Sequence, residues 1–305
     1  MILKGVFTMA DKQTYTFNNE IDTVEVSSMG AKIIMMPQER ADIYVEYDNP
    51  KDSPEFCAVL SGKTLTLKES FTFSIFAPKP AEGYTITVYL PLRTFQKIKI
   101  NTASGGVEVG EVSAENFSLN TAGGNISVNA YFNNIKLQSA SGNITLTNPL
   151  AGAEKPVSLD KEETAPAVYL SKSLSVCTVS GNATVSGYRA EEFSVHSVSG
   201  TTTVTGVSGK GNVSATSGCV NVEYADWDGD LNVSLVSGNV NVTLPEDSGV
   251  ELSFTGVSGM VKTDLGQAKG SFINLGKGTN GDFGGSNKHK LTASLTSGTV
   301  TIAQK

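Results

Sequence analysis

Acid–base and nucleophilic chemistry in this chain has very few groups to run through. Among 305 residues there are two histidines, His196 and His289, and three cysteines, Cys57, Cys177 and Cys219. A serine nucleophile needs an imidazole within hydrogen-bond reach and a carboxylate to orient that ring. His196 lies in "FSVHSVSG", out of phase with Phe193 and Val195, so its expected place is the solvent side of a strand. His289 falls in the polar run "GKGTNGDFGGSNKHK" and is expected in a loop. Three scattered cysteines supply neither a disulfide framework nor a zinc site of four nitrogen and sulfur ligands.

The acidic stretch "DWDGDLN" alternates Asp226, Asp228 and Asp230 like the first half of a calcium loop. Its glycine comes at the fourth position instead of the sixth, and Ser237 stands where a bidentate Glu belongs, so an EF-hand is excluded and a solvated acidic turn is expected. Glycoside cleavage needs paired carboxylates on one exposed face. Acidic pairs here, Glu191 with Glu192 and Glu246 with Asp247, share no column of the repeat. "GKGT" at 276–279 lacks the lead of a phosphate-binding loop. No catalytic residue, metal or cofactor is expected. A net charge of −7 disfavours a grip on nucleic acid phosphates. The apolar run in "MILKGVFTMADK" is shorter than a signal-peptide core or a membrane span, so neither export by that route nor membrane insertion is expected of the chain as it stands.

The elements that would carry any site are set by a repeat. "SASGNITL" recurs with variation at nine glycines: Gly105, Gly124, Gly142, Gly181, Gly200, Gly218, Gly238, Gly259 and Gly298. Seven residues before them stand Ile98, Phe117, Ile135, Leu174, Phe193, Gly211, Leu231, Leu252 and Leu291, and five before stand Ile100, Leu119, Leu137, Val176, Val195, Val213, Val233, Phe254 and Ala293. Two apolar columns follow the glycine, from Val107 and Val109 in the first unit to Val300 and Ile302 in the last. Period-2 alternation on both sides of a Ser-Gly corner means strands. One such unit cannot bury its own apolar face, whereas stacked copies form a continuous core.

The fold expected is therefore all-β: a single-stranded, right-handed β-solenoid with rungs of about 19 residues, the first spacing, Gly105 to Gly124, being 19. A β-sandwich would explain the alternation but not the period. Residues 1–97 read as an irregular β-rich cap with leading rungs, and 98–305 as the regular solenoid, with insertions near 149–169 and 266–290 hanging off it. The corner glycines, and Asn125, Asn143, Asn182 and Asn239 after them, suit positive φ. The corner serines are expected to form a ladder of hydroxyls bonded to turn backbone. Cys177 and Cys219, on rungs two steps apart, should remain free thiols. Sequons such as "NIT" at 143 are by-products of the corner.

One surface feature is a candidate for recognising a partner, the alternative being that its rings fold back over the ends of the core. Loops beyond the second strand hold Tyr131, Tyr188, Tyr224 and Trp227, which stacking would bring onto one edge able to meet a sugar ring or a protein.

The serial "SGN" corners, the segment "YTITVYLPLRTFQKIKINTASGGVEV" and the closing "LTASLTSGTVTI" together resemble the bacterial putative-adhesin family of β-strand-repeat proteins, over roughly residues 15–305. The resemblance implies a β-helical module at the cell surface or envelope and brings no active-site residues. The function expected is a non-enzymatic binding or adhesion module for a cell-surface glycan or protein. The alternatives are a carbohydrate-active β-helix enzyme, which would show a close acid pair in a groove, and a purely structural spacer, which would show neither groove nor aromatic edge.

Overall fold

The structure, a computed structural model, describes residues 12–18, 20–48, 54–70, 83–149, 170–267, 270, 272–276 and 278–305. Every element among them is a strand. The chain divides into two compact units, Met1–Leu146 and Thr147–Lys305.

The first unit contains β1 (Lys12–Phe17), β2 (Thr23–Ser28), β3 (Lys32–Gln38), β4 (Ile43–Asp48), β5 (Glu55–Ser61), β6 (Thr64–Ser70), β7 (Thr85–Pro91), β8 (Thr94–Thr102), β9 (Val107–Val109), β10 (Ser113–Thr121), β11 (Ile126–Asn129), β12 (Tyr131–Ser139) and β13 (Ile144–Thr147). Strands leading into a corner form one sheet, in the order β5-β6-β2-β8-β10-β12, and strands leaving it form a second, in the order β1-β4-β7-β3-β9-β11-β13. Pairing is parallel from β6 to β12, with Ile98 opposite Phe117 and Phe117 opposite Ile135. It turns antiparallel only at the outer strands β1, β4 and β5. Those strands cover edges that would otherwise offer unpaired backbone to other chains.

The second unit contains β14 (Leu170–Thr178), β15 (Ala183–Ser186), β16 (Arg189–Ser197), β17 (Thr201–Val207), β18 (Lys210–Ala215), β19 (Cys219–Tyr224), β20 (Leu231–Leu235), β21 (Asn239–Leu244), β22 (Ser248–Gly256), β23 (Met260–Thr263), β24 (Ile273–Leu275), β25 (Asn280–Gly284), β26 (Asn287–Leu295) and β27 (Thr299–Gln304). Its sheets run β14-β16-β18-β20-β26-β22-β25 and β15-β17-β19-β21-β27-β23-β24. The order is not sequential. The pair β26/β27 enters between β20/β21 and β22/β23, parallel to both neighbours. In the first unit β2/β3 is likewise flanked on both sides, by β6/β7 and β8/β9.

Segment 266–290, expected to hang free, instead carries β24 and β25, which pair antiparallel with β23 and β22 and extend both sheets. A long polar connection that must return the chain past two exposed edges gains backbone hydrogen bonds by lying along them. The other expected insertion, 149–169, lies outside the described residues beyond Pro149. The proposed boundary at residue 97 falls inside β8.

The inward columns are as the alternation predicts. Ile98, Ile100, Phe117, Leu119, Val213, Val233, Leu291 and Ala293 are all buried, as are Val107, Val109, Val300 and Ile302 beyond the corner. Cys57, Cys177 and Cys219 are free thiols.

Glycine at the corner serves close stacking more than dihedral freedom. A Cβ on Gly142 would sit 1.8 Å from the carbonyl oxygen of Gly124, and one on Gly238, whose φ is 118°, would sit 2.3 Å from that of Gly218. Only the latter is in the left-handed region; both are blocked by the rung beneath. The asparagines after the corner do not use positive φ, since Asp247 is the one non-glycine residue with it among the described residues. Asn182 shows the actual use: its Oδ1 accepts from the backbone N–H of Thr201 on the next rung, at 3.0 Å.

Candidate functional site

The repeated serines are structural. Ser199 Oγ donates to the carbonyl of Val179 at 3.1 Å, Ser217 Oγ to Val198 at 3.1 Å and Ser237 Oγ to Thr216 at 3.2 Å. The same carbonyls accept the serines' own N–H groups. The ladder also follows the inserted pair, with Ser297 donating to Val236 and Ser258 to Thr296. The first corner is finished from elsewhere. Glu69 on β6 is buried, and its Oε2 accepts from Ser28 Oγ at 3.0 Å and from the N–H of Met29 at 2.8 Å. A glutamate at the end of "TLTLKE" gave no warning of this role, because nothing in the repeat holds an acid in that column.

The expected aromatic edge is not an edge. Tyr188 and Tyr224 are fully buried and Trp227 is 2% exposed. Tyr131, in the first unit at the start of β12, is half-exposed. Gly211 leaves a gap in the inward column of β18. Phe193 and Leu231 from the flanking strands close over it, so that a Cβ there would lie 2.4 Å from Phe193 Cζ. Phe193 meets Tyr224 edge-on at 5.6 Å between centroids, and Tyr224 meets Trp227 at 4.8 Å. Tyr224, the last residue of β19, and Trp227 in the loop that follows continue this buried aromatic packing from Phe193. Burial pushes the Tyr224 phenol well above its ordinary value, with the Asp228 carboxylate adding to the shift.

The loop carrying Trp227 is a clamp. Trp227 Nε1–H donates to the Gly249 carbonyl on β22 at 2.7 Å, and the Trp227 carbonyl accepts from Asn287 Nδ2 on β26 at 2.8 Å. His289, on β26 and not in a loop, packs perpendicular to the indole at 5.8 Å. The three aspartates diverge to separate partners: Asp226 to Arg189 at 3.0 Å, Asp228 to the N–H of Gly209 at 2.6 Å and Asp230 to the N–H of Lys290 at 2.9 Å. Carboxylates spent on donors of three different segments converge on no common point, so the turn is a staple. Among the described residues no cluster of His, Cys, Asp and Glu is arranged to hold a metal ion.

His196 stands exposed on β16, as its phase predicts, with Nδ1 2.5 Å from Ser214 Oγ. The acidic pairs Glu191/Glu192 and Glu246/Asp247 stay on separate elements: the first is on β16, the second in the turn before β22.

What the sequence did not reveal is a polar groove on the first unit. β9 is three residues long, with Gly105 and Gly106 before it and Gly110 after it, so the outer face there has almost no side chains. The resulting depression, of about 300 Å³, is floored by backbone at Gly106, Val107 and Ile126 and walled by Asn125, Ser127, Asn143 and Thr145. Its rim carries an exposed ion pair, Lys32 Nζ to Glu108 Oε1 at 2.7 Å. Amides, hydroxyls and one cation–anion pair around an open hollow can hydrogen-bond a polyhydroxylated or peptidic group. They have no acid pair poised for bond cleavage. A second hollow of about 280 Å³ lies between Pro37, Pro91, Leu92, Arg93 and Glu111. The signal for the first was the glycine density around "SGGVEVG".

Comparison with known proteins bears on the fold. The family model Toastrack DUF4097 matches residues 21–303. No curated protein matches the chain. A crystal structure called a putative lipid binding protein, from Parabacteroides distasonis ATCC 8503, is 15% identical, with 97% of this chain and 98% of that one covered and a TM-score of 0.54. A putative adhesin from the same organism is 11% identical over 97% and 98% of the chains, with a TM-score of 0.49. A putative adhesin from Bacteroides fragilis NCTC 9343 is 12% identical over 98% and 100%, with a TM-score of 0.44. None of these descriptions names an enzyme. With the family model covering nearly its whole length, the chain belongs to the Toastrack DUF4097 family.

Proposed function

We propose that this member of the Toastrack DUF4097 family is a non-enzymatic binding module of the cell surface or envelope, and that the groove over β9 is where it meets a glycan or protein group. The observation behind the reading is the contrast between a closed interior and the polar hollow over β9. The inward columns are filled by branched and aromatic side chains, so recognition falls to the outer faces. Hydrogen-bonding groups that converge on a concavity are what small polar ligands use. We read the scaffold as a right-handed solenoid with rungs of about 19 residues, consistent with the hand of parallel β crossovers and with the pairing of Ile98 with Phe117.

The test is binding of the intact chain to arrays of envelope glycans and surface proteins, with a variant carrying both Asn125→Ala and Lys32→Ala. Both side chains are at the surface, so folding should be unaffected. Specific binding that the double variant loses supports the groove. Binding that survives it at full strength removes the groove from the reading, and no binding on either array leaves a scaffold function instead.

A further inference from the structure

The outward column of β14, β16 and β18 holds Cys177, His196 and Ser214 side by side. Cys177 is the register partner of His196, and His196 of Ser214. The chain has three cysteines and two histidines, so this adjacency joins two scarce residue types on one face. We propose that Cys177 is a thiol-modification site that takes a low-molecular-weight disulfide, with His196 as its proton acceptor and Ser214 as the residue that positions the ring.

The stereochemistry of imidazole carries the argument. Nδ1 and Cε1 lie on one edge of the ring, and Cδ2 and Nε2 on the other. Nδ1 is 2.5 Å from Ser214 Oγ on β18, and β14 with Cys177 flanks β16 on the other side, so the opposite edge of the ring, which bears Nε2, is the one left for Cys177. When Nδ1–H donates to Ser214, Nε2 is left as the acceptor, the arrangement in which a fixed tautomer serves a nucleophile. Neighbouring parallel strands stand about 4.8 Å apart, within side-chain reach. Cys177 is half-buried and His196 exposed, so a small disulfide can approach from solvent. Cys219 lacks this setting: its register partners are Thr201 and Asn239, and its Sγ lies 3.8 Å from Asn221 Oδ1.

The exchange balances without any further reagent. His196 Nε2 takes the Sγ proton, and the Cys177 sulfur attacks one sulfur of R–S–S–R. The Cys177–S–S–R bond forms as the R–S–S–R bond breaks, and the departing RS⁻ takes the proton from the imidazolium to leave as RSH. Excess thiol reverses the sequence.

The experiment uses the intact chain with oxidised glutathione at neutral pH, and follows mixed-disulfide formation at each cysteine by peptide mass mapping. Cys177 is expected to react at least about ten-fold faster than Cys219, a threshold set below the roughly hundred-fold that a positioned general base typically contributes at the least. His196→Gln should bring Cys177 down to the Cys219 rate while Cys219 itself is unchanged, and Ser214→Ala should give an intermediate loss confined to Cys177. Both variants alter surface side chains, and unchanged melting confirms that the fold is kept. The wild-type ratio needs no variant. If Cys177 reacts within about two-fold of Cys219, or keeps its rate without the imidazole, the assisted exchange is refuted.

Discussion

Replacing Trp227 by alanine should destabilise the second unit by about 4 kcal/mol. A tryptophan takes on the order of 200 Å² out of water, which at about 25 cal/mol per Å² amounts to roughly 5 kcal/mol. Emptied aromatic sites give about 3–5 kcal/mol. The indole is 2% exposed and is enclosed by Tyr224, His289 and the backbone of β22, so the upper part of that range applies. The Gly249 carbonyl also loses its donor, at about 1 kcal/mol. At about 2–4 °C per kcal/mol for a unit of this size, the melting transition should fall by roughly 10 °C. Trp227→Phe keeps most of the volume and loses the N–H donor, and should cost no more than about 2 kcal/mol. Circular dichroism melts of the three proteins measure the difference, and acrylamide quenching of the parent gives a second reading from the chain's only tryptophan. An indole quenched as readily as the free amino acid, or an alanine variant that melts within a degree of the parent, would mean that the ring is not a wedge in the core.

Three further outcomes are expected. Gly142→Ala should remove most folded protein from the soluble fraction, because its Cβ meets the Gly124 carbonyl oxygen at 1.8 Å, whereas Gly276→Ala, with nothing within 4 Å, should melt within about 0.5 kcal/mol of the parent. Val213→Asp places a carboxylate between Val195 and Val233, and should cost several kcal/mol and abolish a cooperative melt. The Tyr224 and Tyr84 phenols are both raised, by burial first and then by Asp228 and Glu69 respectively. The unfolded chain releases those protons from about pH 10 while the folded chain holds them, so stability present below that pH falls as pH rises. Urea midpoints measured from about pH 8 to 11 should therefore decline, and a midpoint independent of pH across that span would contradict the burial.

Much of this architecture was legible in the residues because period-2 alternation and a fixed corner state which side chains turn inward. Val107 and Ile302 could be placed that way as surely as Ile98. The fate of Trp227 was not, because loop residues belong to no column. The position of β26 was hidden for another reason. Leu231 would pair with Leu252 or Leu291 at similar energy, so the repeat leaves the neighbour of β20 undecided, and the choice is made by contacts outside it, such as Asn287 to Trp227 and Lys290 to Asp230. The groove over β9 was hidden because it is made by the absence of side chains.

The placement of β26 and β27 between older neighbours has a consequence for biosynthesis. During translation β22 and β23 leave the ribosome before the pair that will separate them from β20 and β21. Until that pair arrives, β22 has an almost equivalent but wrong berth beside β20, and occupying it would shut the latecomer out. The nascent chain must therefore either keep that slot open or let it reopen. A ribosome that stalls after β23 should release a chain with a mispaired or gaping sheet, a ready substrate for proteases, so that this part of the second unit closes only once β26 and β27 have been made.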